Sequence, residues 1–399
     1  MKISLPLGIA LVMMGTHGYG LFLFGAILPT LQARHGFDYT FAGMASATLN
    51  TAYMTGALLL GAFGRRLPAK RWFVLSVSCC ALLLALLPLA PGPYAMLAAF
   101  IPLGMASAVS WSSAVGFVNG LARIQRRALI LTLGASGGSW GMLTIGLMTG
   151  YGTKLMPPDW FWSVGAAFTL VGLAVLLPLM KEEAASASAR AAPATPPVPR
   201  WAGRQPRVAS LAIALSGLLG ATAVPFTTYL SAYLTNEIGR PEAVSSAVWQ
   251  VLGITGALSG LCIGSFADRY DYRKIIAVIF LAFAVACAFL SFAPSSSYIS
   301  LAGIGHGIAL NPFWGLIAAY ISFFFAPAET MRIDAMGLAA FGLASGLANW
   351  SIGTWADNGG SLGAVYAVLA AGTVAMAGLL TTAPNPDRTK TEASHERTV

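Results

Sequence analysis

Long apolar stretches alternate with short polar breaks along most of the chain. Segments bounded by charge, proline or glycine predict helices over 6–33, 39–63, 72–90, 94–119, 128–151 and 160–180. A second set is predicted over 208–235, 243–267, 274–293, 298–322, 335–356 and 361–382. Each is near or above the roughly 20 residues that cross a bilayer as a helix. The stretch between the sets, 181–207, is rich in Ala, Ser, Pro and Arg and carries Ala192-Pro-Ala-Thr-Pro-Pro-Val-Pro199. Such composition buries no core and predicts a flexible linker. The pattern divides the chain into a six-helix bundle at 1–180, the linker at 181–207, a second bundle at 208–382 and a polar, disordered tail at 383–399.

Composition narrows the class. Hydrophobic residues make up 57% of the 399 and charged residues 9%, with mean hydropathy +0.72. Soluble domains carry about 25% charged residues, so a water-solvated globule is excluded and an all-α integral membrane protein remains. The apolar run after Met1-Lys2 is too long for a cleaved signal and reads as a retained first helix. Cys79, Cys80, Cys262 and Cys287 all fall in apolar runs and read as small core residues. No Cys/His cluster has metal-ligand spacing, so neither a metal nor a cofactor is expected.

The net charge of +9 is scattered, which argues against nucleic acid and for membrane topology. With twelve spans, all but three of the 23 lysines and arginines fall on the side that holds both termini and the linker. The exceptions are Arg34, Lys154 and Arg240. Positive residues collect on the cytoplasmic side, so termini and linker are expected there, in a bacterial inner membrane.

The two sets of helices repeat each other. Gly61-Ala-Phe-Gly-Arg-Arg66 after helix 2 matches Gly264-Ser-Phe-Ala-Asp-Arg269 after helix 8. Gly104-Met-Ala-Ser-Ala108 roughly matches Gly305-His-Gly-Ile-Ala309, and Gly137 and Gly141 of helix 5 recur as Gly342 and Gly346 of helix 11. Parallel repeats joined by a linker are a transporter architecture with its site between the halves.

The run Gly264-Ser-Phe-Ala-Asp-Arg-Tyr-Asp-Tyr-Arg-Lys274 resembles the loop motif of the major facilitator superfamily (MFS), glycine-x-leucine-alanine-aspartate-arginine-x-glycine-arginine-lysine. That family carries the stronger copy between helices 2 and 3. Here the strengths are reversed: the first copy has Arg65 where the aspartate belongs, and the second keeps Asp268 and Arg269. The resemblance implies a latch at the cytoplasmic ends. Asp268 would face the start of helix 5, near Arg126 and Arg127, where the helix dipole favours a carboxylate. Arg65 would face the start of helix 11, near Glu329 and Asp334. The resemblance also implies that helices 5 and 11 face helices 8 and 2. Phe100 stands where proton-linked exporters of the family carry a helix-4 arginine.

Polar residues inside lipid usually face the bundle interior and often mark a pathway. The deep candidates are His17 and Tyr19; Asn50 and Tyr53; Ser110 and Trp111; Ser139 and Trp140; Tyr229; Trp249 and Gln250; His306, Asn311 and Trp314; Asn349 and Trp350. No Asp, Glu, Lys or Arg falls at predicted mid-membrane depth, which argues against a dianionic cargo needing an arginine clamp. His17 and His306 are the deep groups that titrate near neutral pH; each is a packing histidine or a proton carrier. The aromatic residues either pack the core or form walls suited to a neutral, amphiphilic or delocalised cationic molecule.

The expected protein is therefore a secondary transporter moving a small organic solute by rocker-switch alternating access. Its partners would be the solute, membrane lipid and, if coupled, H+; the monomer is the expected state. The rivals are a non-transporting sensor or assembly protein of the same fold, and a polytopic enzyme. The enzyme would need a catalytic constellation, and the nearest cluster, Glu329, Arg332 and Asp334, lacks one.

Overall fold

The computed structural model describes residues 4–63, 66–120, 127–184, 201, 203–267, 270–292, 295–325 and 327–385. Among them run twelve long helical segments. The first six are α1 (4–35), α2 (Tyr39–Phe63), α3 (Ala69–Leu86), α4 (Pro93–Gly120), α5 (127–151, interrupted at Ser136) and α6 (Phe161–Ala184). The second six are α7 (205–237), α8 (Glu242–Ala267), α9 (Tyr272–Phe292), α10 (Ser296–Ser322), α11 (Pro327–Asp357) and α12 (Leu362–Thr381). Ten have the length and hydropathy of a membrane span. The other two, α2 and α8, are long enough but carry more polar residues, among them Asn50, Thr51, Ser245 and Gln250.

Helix α1 is not uniform. Met14–Phe22 is π-helical, a widened turn common at functional sites. The helix ends at Gly36, whose φ of 68° gives the left-handed cap that glycine adopts without strain.

The two sets of six pack alike. In the first, α1 lies against α5 and α6, α2 against α4, and α3 against α4 and α6. In the second, α7 lies against α11 and α12, α8 against α10, and α9 against α10 and α12. The sets meet chiefly along α2–α11 and α5–α8, with α1 touching α7. Helices gain no hydrophobic driving force from each other in lipid, so close approach at small residues supplies the contact.

These contacts are not spread evenly along the helices. One end of the molecule holds the start of α1 and the finish of α12 (the terminal end); the other holds the α1–α2 and α7–α8 turns (the far end). A large apolar core runs through both sets. Toward the terminal end the first set has a core of its own, built from Leu5, Ile9, Phe73, Val118, Ile130 and Leu176. The sets thus share a core in one region and are packed separately in the other.

Polar ends of helices are satisfied by charges from their neighbours. Glu237, at the finish of α7, accepts from Ser361 Oγ at 2.6 Å, Leu362 N at 2.6 Å and Gly363 N at 3.0 Å, capping α12. A carboxylate is favoured there by the unpaired N–H groups and the dipole. The equivalent corner of the first set carries an ion pair between Arg34, near the end of α1, and the buried Asp159, just before α6.

A side chain at Gly253 has no room, since its Cβ would lie 2.6 Å from the Cα of Leu143. Gly253→Leu should therefore lower stability by about 1–3 kcal/mol, read as a fall in the melting temperature of purified protein. Gly260 on the same helix has nothing within 4 Å of an added Cβ. Gly260→Ala should leave the melting temperature unchanged or slightly raised, because alanine is the better helix former.

Candidate functional site

The interface between the sets is built on two seams. Along α2–α11, a Cβ at Gly342 would lie 2.8 Å from Met54 Cβ, and one at Gly346 would lie 3.1 Å from Thr51 Oγ1. Along α5–α8, a Cβ at Gly146 would lie 2.6 Å from the backbone nitrogen of Gln250. The facing expected of helices 5 and 11 is thus observed, with one difference. Gly137 and Gly141 pack on Ala10 and Gly18 of α1, inside the first set. The seam with α8 uses a second small-residue pair on the opposite face of α5, Gly146 and Gly150.

Hydrogen bonds close the far end. Asp357, at the end of α11, accepts from Tyr39 N at 3.0 Å and Thr40 N at 2.6 Å, the first amides of α2. Asn236 donates to Gln32 Oε1 and to Tyr39 Oη, both at 3.2 Å. Ser46 and Thr228 share a hydrogen bond of 3.1 Å. Gly25 of α1 meets the backbone of Thr227 and Thr228 of α7.

At mid-depth a side-chain bond joins the sets, Asn311 Nδ2 to Ser139 Oγ. It passes Gly256 of α8, where a Cβ would stand 2.7 Å from Ser139 Oγ and 2.8 Å from Asn311 Nδ2. Beyond it, an added Cβ at Gly61 or Gly260 meets nothing within 4 Å, and Phe63 and Met331 are exposed. Among the described residues, the two sets are thus bonded to each other at the far end and at mid-depth, while Gly61 and Gly260 have free space around them toward the terminal end.

Several expected residues meet in that interior. His17 is half-buried on the π-helical stretch. Its Nδ1 lies 2.9 Å from Thr16 Oγ1 and its Nε2 lies 3.2 Å from Tyr53 Oη of α2. The ring sits edge-on to Tyr53, with centroids 5.7 Å apart. A Cβ at Gly138 of α5 would lie 3.7 Å from His17 Cβ, which sets the imidazole beside the neighbour of Ser139. Trp314 of α10 packs edge-on to Phe341 of α11 at 5.3 Å. Gln250 donates to Gly146 O at 3.3 Å across the α5–α8 seam. Asn50 donates to Ser46 O at 2.9 Å within α2, along the α2–α11 seam.

Others are placed elsewhere. Tyr19 is fully buried against Gly165 and Phe168 of α6. Ser110 is buried between α4 and α1, donating to Ser107 O at 2.7 Å. Trp111 packs on the smaller core. Trp140 is exposed, on one helical face with the exposed Leu147 and Tyr151, the outer face of α5. Tyr229 is buried at the far-end seam, where it donates to Asn349 O at 2.6 Å and a Cβ at Gly43 of α2 would lie 2.7 Å from its hydroxyl. His306 is 1% exposed, stacked on Phe226 at 4.7 Å, edge-on to Phe283, and bonded through Nε2 to Ala223 O at 3.1 Å. The ring is thus enclosed by the second set.

Asp334 is the largest departure from the sequence reading, which placed it outside helix 11. The helix begins at Pro327, and Asp334 lies two turns inside it, half-buried on the face that also carries Phe341 and Ser345. The interior thus includes a carboxylate. Arg65, Asp268, Arg269 and Arg126, on which the expected latch rests, lie outside the described residues.

The loop before α9 holds a different contact. Arg273 grips Asp271 (Nη2–Oδ2 2.5 Å) and donates to Ala383 O at 2.9 Å and Asn385 Oδ1 at 3.0 Å. Tyr320 donates to Pro384 O at 2.8 Å. Residues 383–385, read from sequence as the start of a free tail, are docked here.

The molecule is a helical membrane protein of repeated six-helix sets that meet along glycine seams, and its family makes it an MFS transporter and not an enzyme. The chain belongs to the family described as uncharacterised MFS-type transporter YbfB, whose model matches residues 12–382. Among solved structures it is similar to the nucleoside transporter NupG, with TM-score 0.70, 18% identity, and coverage of 96% of this chain and 99% of that one. It is also similar to the inward-open xylose transporter XylE from E. coli, with TM-score 0.73, 13% identity and 97% coverage of each chain. A D-xylose-proton symporter matches with TM-score 0.71 and 12% identity over 96% of this chain and 98% of its own. These identities carry the fold alone. No curated protein matches the sequence.

Two outcomes follow. Asp357→Ala removes a charge-assisted cap between sets worth about 1.5–3 kcal/mol. In a cysteine-free background carrying Thr228→Cys, it should raise maleimide labelling from the far side at least roughly tenfold. The Arg273 hydrogen bonds hold the Asp271 carboxyl below its ordinary value, so the stability it adds is present above the usual carboxylate range and lost as pH falls through the lowered value. The melting-temperature gap between wild type and Asp271→Asn should be present at pH 7 and shrink below about pH 4.

Proposed function

We propose that this chain carries a small, uncharged or amphiphilic organic solute across the bacterial inner membrane by alternating access, with all twelve helices spanning. The terminal end bears most of the lysine and arginine, which supports a cytoplasmic assignment for both termini and the linker. The described conformation is then inward-open. The two bundles are residues 1–180 and 208–382, joined by 181–207, and they rock about the glycine seams.

One observation carries the reading. Uncharged hydrogen-bonding groups and an aromatic wall (Tyr53, Ser139, Asn311, Trp314) converge at mid-depth, just below the sealed end. A solute entering from the cytoplasm reaches them and meets the far-end seal behind them. The bonds at that seal are few and mostly uncharged, so they can break when the other end closes. Transport requires such reversible seals, because a cargo shifts the balance only through its different affinity for the two states. NupG and XylE bear names that point to nucleosides and xylose, and these set the first solutes to try. H+ is the candidate coupled ion.

Counterflow in proteoliposomes with labelled uridine and xylose is the test. The wild type should exchange at least one label, and Asn311→Ala or Trp314→Ala should reduce exchange at least tenfold with the protein still folded. Unchanged exchange in both variants would remove these residues from the site.

A further inference from the structure

The hydroxyl of Thr16 has one proton. It lies 3.0 Å from Val12 O, the ordinary back-bond of a helical threonine, and 2.9 Å from His17 Nδ1. With that proton on Val12 O, the Thr16 oxygen can only accept from His17. Neutral His17 then carries its hydrogen on Nδ1, and Nε2 is left as an acceptor for the Tyr53 hydroxyl at 3.2 Å. The ring thus fixes the direction in which Tyr53 donates.

We infer that His17 and Tyr53 form a proton-controlled hydrogen-bond donor aimed at the cargo. This rests on the transport reading above. A proton binding at His17 Nε2 turns that nitrogen into a donor. The Tyr53 oxygen must then accept, and its own hydrogen swings away from the ring. Both residues are half-buried on the interior side of α1 and α2, so the freed O–H is available to an acceptor oxygen of a neutral solute. Solute and proton load together, which makes the carrier a symporter of one proton with one neutral, oxygen-bearing molecule.

The surroundings leave the pair in control of this step. From α4, Ser107 and Ser110 reach Thr16, with the Cys80 thiol of α3 3.7 Å from Ser107 Oγ. From α6, Thr169 bonds its own helix. Tyr19 is turned toward α6, and α5 presents Gly138. Among the described residues, the charged group within electrostatic range of Tyr53 is Asp334 of α11.

Nitrogen-15 NMR on the purified full chain, labelled at histidine, reads the first step directly. His17→Gln identifies the His17 signals. Neutral His17 should show a protonated Nδ1, and Tyr53→Phe, which keeps the ring, should move the Nε2 resonance and change its titration. A neutral ring protonated at Nε2, or a His17 spectrum indifferent to Tyr53→Phe, would overturn the switch. Uptake of labelled uridine and xylose into proteoliposomes reads the second step. Wild-type uptake of either should be driven by an inward proton gradient, and Tyr53→Phe should cut that gradient-driven part at least tenfold. Uptake indifferent to the gradient would overturn the coupling while leaving the transporter standing. Uptake of neither solute, with the NMR as expected, would overturn the assignment of a neutral oxygen-bearing cargo and count against the transport reading, but leave the tautomer intact.

Discussion

Close backbone approach at glycine holds the two halves of this molecule together. Inside a bilayer, burying apolar side chains against each other gains little over burying them in lipid, so helices associate where small residues allow tight packing. Gly146 and Gly253 across α5 and α8 bring backbone against backbone with no room for a Cβ, and Gly342 and Gly346 on α11 let that helix close onto the Met54 and Thr51 side chains of α2. Contacts of this kind are close but smooth. They hold two helices near each other without interlocking side chains, so one can tilt on the other without a large packing loss.

The rest of the architecture follows from where those seams tighten. Toward the far end they are reinforced by Asp357 on the first amides of α2 and by Asn236 on Gln32 and Tyr39. At mid-depth Asn311 and Ser139 add a further bond, threaded past Gly256. Beyond that point the first set has its own core, and Gly61 and Gly260 have free space around them. The polar interior therefore sits where sealed and open regions meet, the place at which an alternating-access carrier needs its cargo.

Much of this was legible in the sequence. Except at the start of α11, helix positions came within a few residues, because lipid imposes a minimum apolar length and charge marks the breaks. The repeat was legible through matched glycines, and the α2–α11 and α5–α8 pairings through what the family resemblance of the motif loop implied. What the chain did not display was azimuth. In a soluble helix the polar stripe gives the exposed face, but in lipid the outer face is apolar too. Trp140 and Tyr19 were therefore grouped with His17 although they point outward and toward α6. The spacing of Trp140 from Leu147 and Tyr151 was an available clue. Asp334 was misplaced for another reason: proline at the first helical position, followed by Glu329 in the first turn, marks a helix start, and hydropathy alone overrode it. The π-helical turn around His17 left no clear signal beyond its glycines.

The central claim is that the two ends open in opposition about the seams. Double electron–electron resonance on one spin-label pair at each end tests it directly: Phe63 with Met331 at the terminal end, Arg34 with Arg240 at the far end. The account predicts two distance populations for each pair, with the fraction of long terminal-end distances matching the fraction of short far-end distances as pH is varied from 6 to 8. Distances that lengthen together at both ends, or a far-end pair that stays fixed while the terminal pair closes, would contradict it.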